Sequence, residues 1–261
     1  MLVRRADARS PGGRRPEPGS APATDGERET MAQHAIEQFP LGPMDNFAYL
    51  VIDRASGEAA VIDPAWDAEA YRRRAKEANA RIAQILLTHS HDDHVNALDA
   101  FLAEGLPVRV SDAEAGFWHS APEGAIRMAD GERSTLGETT IEWLVTPGHT
   151  PGSACLRVGD DLLAADTLFV YGCGRCDLPG SDPRAMFDSL GRLAREIAPD
   201  TTIYPGHDYG VAPTSTMGEQ VAGNPFLMFD DAEAFVKYRM EDHGRLRSQP
   251  YGPERAPYPG D

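Results

Sequence analysis

The chain has 261 residues, of which 41% are hydrophobic and 25% charged, and its formal net charge is −16. This length suffices to bury a core as one large domain or two small ones. The acidity argues against nucleic acid and anionic membranes as partners, because both are bound through basic surface. The sequence also lacks any apolar run near the roughly 18 residues that a membrane-spanning helix needs.

The first thirty residues differ from the rest in composition. They are rich in Arg, Pro, Gly and Ser and show neither helical nor strand periodicity, so we predict a disordered extension over residues 1–30. The remainder holds 19 basic against 36 acidic residues, a net charge of −17. The segment suits neither a secretory signal nor an amphipathic transit peptide, so we expect a cytoplasmic protein. A second hypothesis is that translation starts at Met31.

Strand and helix patterns intermix from Ala35 onward. A hairpin is predicted around Ser56-Gly57, and a basic amphipathic helix follows in "DAEAYRRRAKEANA". Next come a buried strand in "IAQILLT", one helix in "VNALDAFLAEG" and a strand in "PVRV". The second half predicts four strands (TTIEWLV, SACLRV, DLLAAD, TTIYP) and three helices (DPRAMFDSLGRLAREI, STMGEQVA, DAEAFVKYRMEDHG). We therefore predict an α/β class, with one sheet-rich domain over residues 31–261 that ends in a short helical tail.

The stretch "HSHDDH" follows the predicted buried strand directly and holds three of the chain's eight histidines. It places His89, His91, Asp93 and His94 in what we predict to be a loop. Imidazole nitrogens and carboxylate oxygens are ligands that zinc and iron accept. Burying them together without a metal would leave unpaired polar groups that cost about 1–3 kcal/mol each. The pattern indicates a metal site, and a solvent-exposed polar loop is the alternative.

Three further candidate ligands each follow a predicted strand. His149 lies in the turn "TPGHTPG", Asp166 ends "LLAAD" and His207 follows "TTIYPG". Strand ends at one rim of a rigid sheet are where a site is assembled. Each residue alone also has an ordinary interpretation as a turn residue, a helix cap or a surface histidine. Together with the histidine cluster, they predict a single metal centre.

This order of residues, H-x-H-x-D-H followed by a histidine, an aspartate and a histidine, resembles the metallo-β-lactamase superfamily over residues 35–224. The resemblance implies an αβ/βα four-layer sandwich with a metal site at one edge of its two sheets. It implies a first metal held by three histidines and a second held by an aspartate and two histidines, with an aspartate bridging them: His89, His91, His149; Asp93, His94, His207; Asp166.

Within that superfamily, two branches handle thiols. "GPMDNFAYLV", "DTLF" and "GCGR" are similar to glyoxalase II, the hydroxyacylglutathione hydrolases. That likeness implies two divalent metals, zinc or iron, and hydrolysis of a thioester of a small carrier thiol, with Asp93 binding metal and orienting the attacking hydroxide. "YPGHDYG", "STMGEQVAGNP" and "EAFVK" resemble persulfide dioxygenases, which implies one iron on His89, His149 and Asp166 and a glutathione persulfide substrate. A metal-stabilised binding protein without catalytic activity is the third alternative.

The sequence also departs from these branches. Only 54 residues follow His207, too few for the full helical domain with which glyoxalase II binds glutathione, and Ala165 stands where a glycine is usual. We predict that Arg175 and Tyr209 contact carboxylates of a small-molecule thiol-derived substrate, because the guanidinium fork matches a carboxylate. The oligomeric state stays open, with a homodimer among the possibilities.

Some residues fall outside the ligand pattern. Cys173 and Cys176 form a C-x-x-C, which we interpret as part of a loop that borders the pocket rather than as a structural zinc or redox pair. We predict His34, His119 and His243 to be ordinary surface residues.

Overall fold

The computed structural model describes residues 33–258. The predicted disordered extension over residues 1–30 and the hypothesis about Met31 lie outside the described residues. None of the helices in residues 33–258 combines the length and the apolar character that spanning a membrane would require.

The first half of the described chain forms a six-stranded sheet in sequential order. Its first three strands pair antiparallel, whereas the third to the sixth pair in parallel through helical connections. The strands are β1 (His34–Leu41), β2 (Asn46–Asp53), β3 (Glu58–Ile62), β4 (Arg81–Leu87), β5 (Val108–Ser111) and β6 (Ile126–Met128). The helices are α1 (Ala68–Glu77), α2 (Asp92–Val95), α3 (Asp99–Leu102) and α4 (Asp112–Phe117).

The second half forms another six-stranded sheet and a two-stranded ribbon. The strands are β7 (Arg133–Leu136), β8 (Thr139–Val145), β9 (Ala154–Val158), β10 (Asp161–Ala165), β11 (Leu168–Phe169), β12 (Gly172–Cys173), β13 (Thr202–Pro205) and β14 (Ser215–Thr216). The sheet order is β14-β13-β10-β9-β8-β7, and β11 pairs with β12. The helices are α5 (Pro183–Glu196), α6 (Met217–Gly223), α7 (Ala232–Lys237) and α8 (His243–Leu246).

The alternation of side chains along each strand sorts the apolar residues into three cores. On β2, Tyr49 and Val51 face a core shared with Trp143 and Leu156 of the second sheet. Leu50 and Ile52 face the other way, into a core that the helices α1, α3 and α4 complete. The outer face of the second sheet packs on α5, α6 and α7 in the third core. The order helix, sheet, sheet, helix confirms the predicted four-layer sandwich.

The helix predicted in "VNALDAFLAEG" differs from the structure. Two helices of four residues replace it, and the first, α2, already begins at Asp92 within the histidine cluster. The backbone N–H of Ala97 donates to the carbonyl of Pro64 at 3.1 Å, and the side chain of Asn96 accepts from the Trp66 N–H at 2.6 Å. These bonds to the segment after β3 interrupt the helical ladder between α2 and α3. Because α2 begins at Asp92, the histidine cluster is only partly a loop.

The prediction for the remaining histidines is correct for one of three. His119 is exposed, but His34 and His243 are buried. His34 Nε2 lies 2.8 Å from a carboxylate oxygen of Asp161, so a hydrogen bond satisfies this nitrogen of the buried ring. His243 packs among aromatic rings, with ring centroids 4.9 Å from Phe226 and 5.3 Å from Tyr251.

Candidate metal centre

The predicted ligands converge because the strands before them end at one edge of the sandwich. In the first sheet, β3 and β4 are parallel, and the histidine cluster follows β4. In the second sheet, β10 is parallel to β13 and antiparallel to β9, which is antiparallel to β8. Strands β8, β10 and β13 therefore run in one direction, and the residues that follow them meet at one edge: His149, Asp166 and His207.

The seven predicted ligands form two groups of three with one carboxylate between them. In each group, one ligand atom per residue lies within 4.8 Å of the others, close enough to share a metal ion: His89, His91, His149; and Asp93, His94, His207. A third such group joins Asp63 to His89 and His94. Two pairs of ring nitrogens face each other, 2.8 Å apart between His91 and His149 and 3.3 Å apart between His94 and His207.

Asp166 lies between the two groups. Its Oδ2 is 3.4 Å from Nε2 of His149 in the first group and 3.4 Å from Nε2 of His207 in the second. Its Oδ1 is 3.3 Å from Nε2 of His94. A carboxylate with one oxygen close to a histidine of each group is placed as a bridging ligand would be.

Hydrogen bonds on the outer side of the rings fix which nitrogen points inward with a lone pair. His149 donates from Nδ1 to the carbonyl of Arg175 at 2.8 Å, and His207 donates from Nδ1 to the carbonyl of Met44 at 2.9 Å. In a neutral imidazole the other nitrogen is then an acceptor. Nε2 of both rings is therefore ready to bind a cation, as in metal sites where the second nitrogen is held by a carbonyl.

The electrostatics of the site divide its histidines around an ionised carboxylate. Burial would lower the pKa of His94 and of His207, but Asp166 raises both, that of His94 well above its usual range. Burial and the neighbouring His94 lower the pKa of His89 well below its usual range, and burial lowers the pKa of His149 to about 4. Burial alone would raise the pKa of Asp166, but His207 and His94 hold it well below its usual range. Neutral His89 and His149 and ionised Asp166 are in the protonation states that bind metal. A metal at His94 and His207 would displace their protons.

Two buried donor atoms of the site have the unsatisfied hydrogen-bonding capacity that a bound metal would fill. Among the described residues, Nε2 of His89 and Oδ1 of Asp166 are buried and have no hydrogen-bond partner. Buried polar atoms without partners are rare in folded proteins and cost free energy. A cation placed between these donors would satisfy both atoms, so the site fits a divalent metal.

Other side chains, not among the site residues predicted from the sequence, hold the ligands in place. Asp63, directly after β3, accepts from the Thr88 N–H at 2.7 Å and lies 3.3 Å from Nδ1 of His94. Asn46 donates to Oδ2 of Asp93 at 2.9 Å and accepts from the Trp66 ring N–H at 3.0 Å. Asp63 could have been found by the strand-end argument that identified Asp166, because it also follows an apolar strand.

The backbone around Asp166 is tightly constrained. Ala165 has a φ of +43°, in the left-handed region that favours glycine. A Cβ on Gly206 would lie 2.1 Å from Oδ1 of Asp166, so only glycine fits there. The chain therefore tolerates alanine at position 165 but not a side chain at position 206.

A cavity of about 400 Å³ opens onto the ligands. Apolar side chains line part of its wall, and both substrate-contact residues predicted from sequence also line it: Met44, Trp66, Phe169, Leu178; Arg175, Tyr209. The Tyr209 ring stacks on His207 with centroids 4.7 Å apart and 10° between the planes. Arg175 is exposed and pairs with Asp177 at 2.9 Å.

A second cavity of about 290 Å³ shares Phe169, Arg175 and Tyr209 with the first. Arg239 and His243 of the C-terminal segment line it. Burial and the charges of Arg239 and Arg247 lower the pKa of His243 to about 4, so its ring is neutral at pH 7. Its buried Nε2 has no hydrogen-bond partner in the described part of the chain. Cys173, the first cysteine of the C-x-x-C motif, also borders this cavity, as predicted for that loop.

Comparison with known proteins identifies relatives of three kinds. The chain is 33% identical over 195 residues to a probable polyketide biosynthesis zinc-dependent hydrolase, PksB, of Bacillus subtilis, covering 74% of this chain and 87% of PksB. It is 39% identical to a hydroxyacylglutathione hydrolase of Cereibacter sphaeroides, covering 71% of each chain. It is 32% identical to the human mitochondrial persulfide dioxygenase ETHE1, covering 73% of this chain and 74% of that protein.

Solved structures show the same architecture. The ETHE1 structure from Myxococcus xanthus superposes with a TM-score of 0.71 at 25% identity, covering 79% of this chain and 90% of that chain. TTHA1623, solved in a di-iron-bound form, gives a TM-score of 0.64 at 31% identity, covering 73% of this chain and all of that chain. The family model described as the metallo-beta-lactamase superfamily matches residues 41–207, from β1 to the last predicted ligand. The chain belongs to the metallo-β-lactamase superfamily.

Proposed function

We propose that this protein is a dinuclear metal-dependent hydrolase that cleaves the thioester of a small anionic thiol. The observation that carries the proposal is the pair of three-donor groups on either side of Asp166. A mononuclear site needs only one of these groups, whereas here the second group, Asp93, His94 and His207, is also assembled from two different sheets. Its assembly favours two metals, and the name of the zinc-dependent relative favours zinc.

The bound metals would supply a hydroxide at neutral pH and polarise the thioester carbonyl. The chain's own residues orient the reactants. Asp93 has one oxygen fixed by Asn46, and its side chain is 16% exposed to the cavity, so it is placed to accept a hydrogen bond from the attacking hydroxide as well as to bind metal. The departing thiol has a pKa of about 8.5, so it leaves as a thiolate without a dedicated general acid.

The cavity walls support an anionic thiol as the leaving group. Trp66, Phe169 and Leu178 offer an apolar wall, while Arg175 and Tyr209 face the region that both cavities share. Arg239 adds a second guanidinium close by and, within the described residues, pairs with no carboxylate, donating instead to the Gly174 carbonyl at 2.9 Å. In a chain of net charge −16, two arginines beside one cavity favour a ligand that carries a carboxylate.

The proposal is tested by the metal content and substrate of the purified protein. We expect near two metals per chain by plasma mass spectrometry, hydrolysis of S-lactoylglutathione, and no oxygen uptake with glutathione persulfide. Acyl pantetheine thioesters should be assayed beside glutathione thioesters, to identify which small thiol the cavity accepts. A His207→Ala variant should retain near one metal per chain and lose thioester hydrolysis.

A persulfide dioxygenase is the second candidate function, favoured by the similarity to the ETHE1 proteins. His89, His149 and Asp166 would then form a two-histidine, one-carboxylate iron site. Near one iron per chain with rapid oxygen uptake would overturn the hydrolase proposal in favour of this one. Metal binding without turnover of either substrate class would instead indicate a binding protein.

A further inference from the structure

We infer that Glu114 is a positioning residue for the metal centre, which sets the two ligand-bearing loops of the first group at their working distance. The inference rests on the metal site of the proposed function but not on the reaction that occurs there. Glu114 lies on α4, outside every motif that the sequence analysis identified, and its side chain is fully buried.

The Glu114 carboxylate accepts four hydrogen bonds, two on each oxygen. Oε1 accepts from the backbone N–H of Ser90 at 2.8 Å and from the Ser90 hydroxyl at 2.5 Å. Oε2 accepts from the Thr150 hydroxyl at 2.7 Å and from the backbone N–H of Gly152 at 3.1 Å. One oxygen therefore holds one loop and the other oxygen holds a different loop.

These two loops carry all three histidines of the first group. Ser90 lies between His89 and His91, and Thr150 directly follows His149. The first loop follows β4 of one sheet, and the second follows β8 of the other. Glu114 thus connects the two sheets at the edge where the ligands meet, and among the described residues it forms no hydrogen bond to a ligand side chain itself.

The fit between α4 and the second loop leaves no room for adjustment. A Cβ on Gly152 would lie 2.0 Å from the backbone nitrogen of Glu114, and the Ser111 hydroxyl, which caps α4, donates to the Gly152 carbonyl at 2.5 Å. The distance between the loops is therefore fixed by direct contacts rather than by the flexible reach of a long side chain.

The role requires a carboxylate rather than an amide. Both oxygens of Glu114 face backbone N–H donors, which cannot reverse their direction. In a Glu114→Gln variant one loop keeps an oxygen acceptor, but the other meets an N–H₂ group that points at an N–H. One loop is then released from the connection while the shape and volume of the side chain are kept.

The expected consequence is selective. Glu114 forms no hydrogen bond with Asp93, His94 or His207 within the described chain, and the loop at His207 is held instead by Met44. Loss of the Glu114 connection should weaken the metal held by His89, His91 and His149 and leave the other metal unchanged. A residue that only stabilised the fold would produce no such selectivity.

Asp53→Asn is a matched control. Asp53 is also fully buried, and it joins the end of β2 in one sheet to the start of β8 in the other. It accepts from the N–H and hydroxyl of Ser56 at 2.8 and 2.7 Å and from the hydroxyl of Thr139 at 2.7 Å. It lies at the opposite end of β2 and β3 from the ligands, so its loss perturbs the fold without reaching the site.

The experiment measures Zn²⁺ affinity by competition with a chelating dye and thermal unfolding of the metal-free protein in chelator. We expect Glu114→Gln to weaken one of two Zn²⁺ sites by about 10–100-fold, as for residues that support metal ligands. Asp53→Asn should lower the unfolding temperature and leave both affinities within about twofold. Wild-type affinities in Glu114→Gln, or an equal loss in Asp53→Asn, would overturn the inference.

Milder variants keep the test decisive if Glu114→Gln does not fold. Ser90→Ala and Thr150→Val each remove one side-chain bond to the carboxylate from one loop, and each should weaken the same Zn²⁺ site by a smaller factor. If the wild type holds only one metal, the hydrolase proposal fails but the inference survives, because His89 and His149 serve the mononuclear site as well. Unchanged affinity for that single metal would then overturn the inference by itself.

Discussion

The floor of the cavity and its rim are built by different means. The floor consists of His89, His94, His149, Asp166 and His207, none of which is more than 7% exposed. Hydrogen bonds to backbone carbonyls and buried carboxylates fix these rings, and strand ends fix their backbone. The rim consists of partly or largely exposed side chains: Met44, Trp66, Arg175, Leu178 and Tyr209.

This difference separates two tasks. Metal binding needs donors held at fixed distances, which buried side chains on a rigid edge provide. Recognition of a substrate tolerates movement, and exposed side chains contribute less free energy each. Substitutions in the floor should therefore abolish function, and substitutions in the rim should alter substrate affinity. Substitutions of residues that hold floor residues in place should weaken metal binding, and substitutions far from the site should alter stability alone.

The largest effect is expected from Asp166→Ala in the floor. This change removes the carboxylate that approaches both donor groups, so metal content should fall to near zero and activity by more than about 100-fold, beyond the loss typical of supporting residues. Plasma mass spectrometry and thioester hydrolysis measure both. Asp200→Ala, an exposed aspartate in the loop before β13, serves as the control; full metal content in Asp166→Ala would contradict the assignment.

Asp63→Asn should have the next largest effect, because Asp63 holds residues of the floor in place without being one of them. Asp63 accepts from the backbone N–H and hydroxyl of Thr88 and faces Nδ1 of His94. An amide cannot hold these three groups at once, so we expect metal affinity to fall by about 10–100-fold. Chelator competition measures the affinity. Unchanged binding would mean that the β4 strand end alone positions the cluster.

Arg175→Ala tests the rim. Loss of a charge-assisted hydrogen bond to an anionic thiol should raise KM roughly tenfold, with kcat within about twofold of the wild type. Arg184→Ala is a matched control, because Arg184 is also an exposed arginine in an ion pair, with Glu233, and does not line the cavity. Steady-state kinetics distinguish the outcomes. A fall in kcat with unchanged KM would mean that Arg175 acts in the chemical step rather than in substrate binding.

Asp53→Asn should have the smallest effect on function, because it lowers stability and leaves the cavity untouched. Burial alone would raise the pKa of Asp53, but hydrogen bonds from Ser56 and Thr139 lower it to about 2. Because this pKa lies below the value near 3.9 of the unfolded chain, the stabilisation is complete above about pH 4 and is lost as the pH falls towards 2. Urea unfolding of the metal-free protein should show a deficit of about 1–3 kcal/mol at pH 7 that shrinks below pH 4. A deficit independent of pH would exclude the carboxylate as its cause.

The same contrast explains how much the sequence could predict. The donor cluster is contiguous and follows an apolar run, and the other three donors follow strands. The local sequence pattern therefore predicted that all seven residues lie at one edge. The four-layer order follows from alternation along the strands together with the family resemblance. The ligand assignment to individual metals stays a prediction, as do the roles of Arg175 and Tyr209.

Supporting residues were missed because their partners are distant in sequence. Glu114 is 24 residues from Ser90 and 36 from Thr150, and no periodicity connects these positions. Burial of His243 depends on the aromatic rings of Phe226 and Tyr251, which the fold of the C-terminal segment brings beside it. The break between α2 and α3 depends on bonds to the segment after β3, which a helical pattern does not reveal.

The division of the ligands between one local cluster and three separate strand ends has a consequence for folding. His94 and His207 are 113 residues apart in the chain, so their group closes only after both sheets have formed, at a high cost in loop entropy. His89, His91 and His94 are neighbours even in the unfolded chain and can hold a metal there. Since a metal that binds the unfolded chain stabilises the native state less, zinc should raise the unfolding temperature by less than its native affinity alone would give.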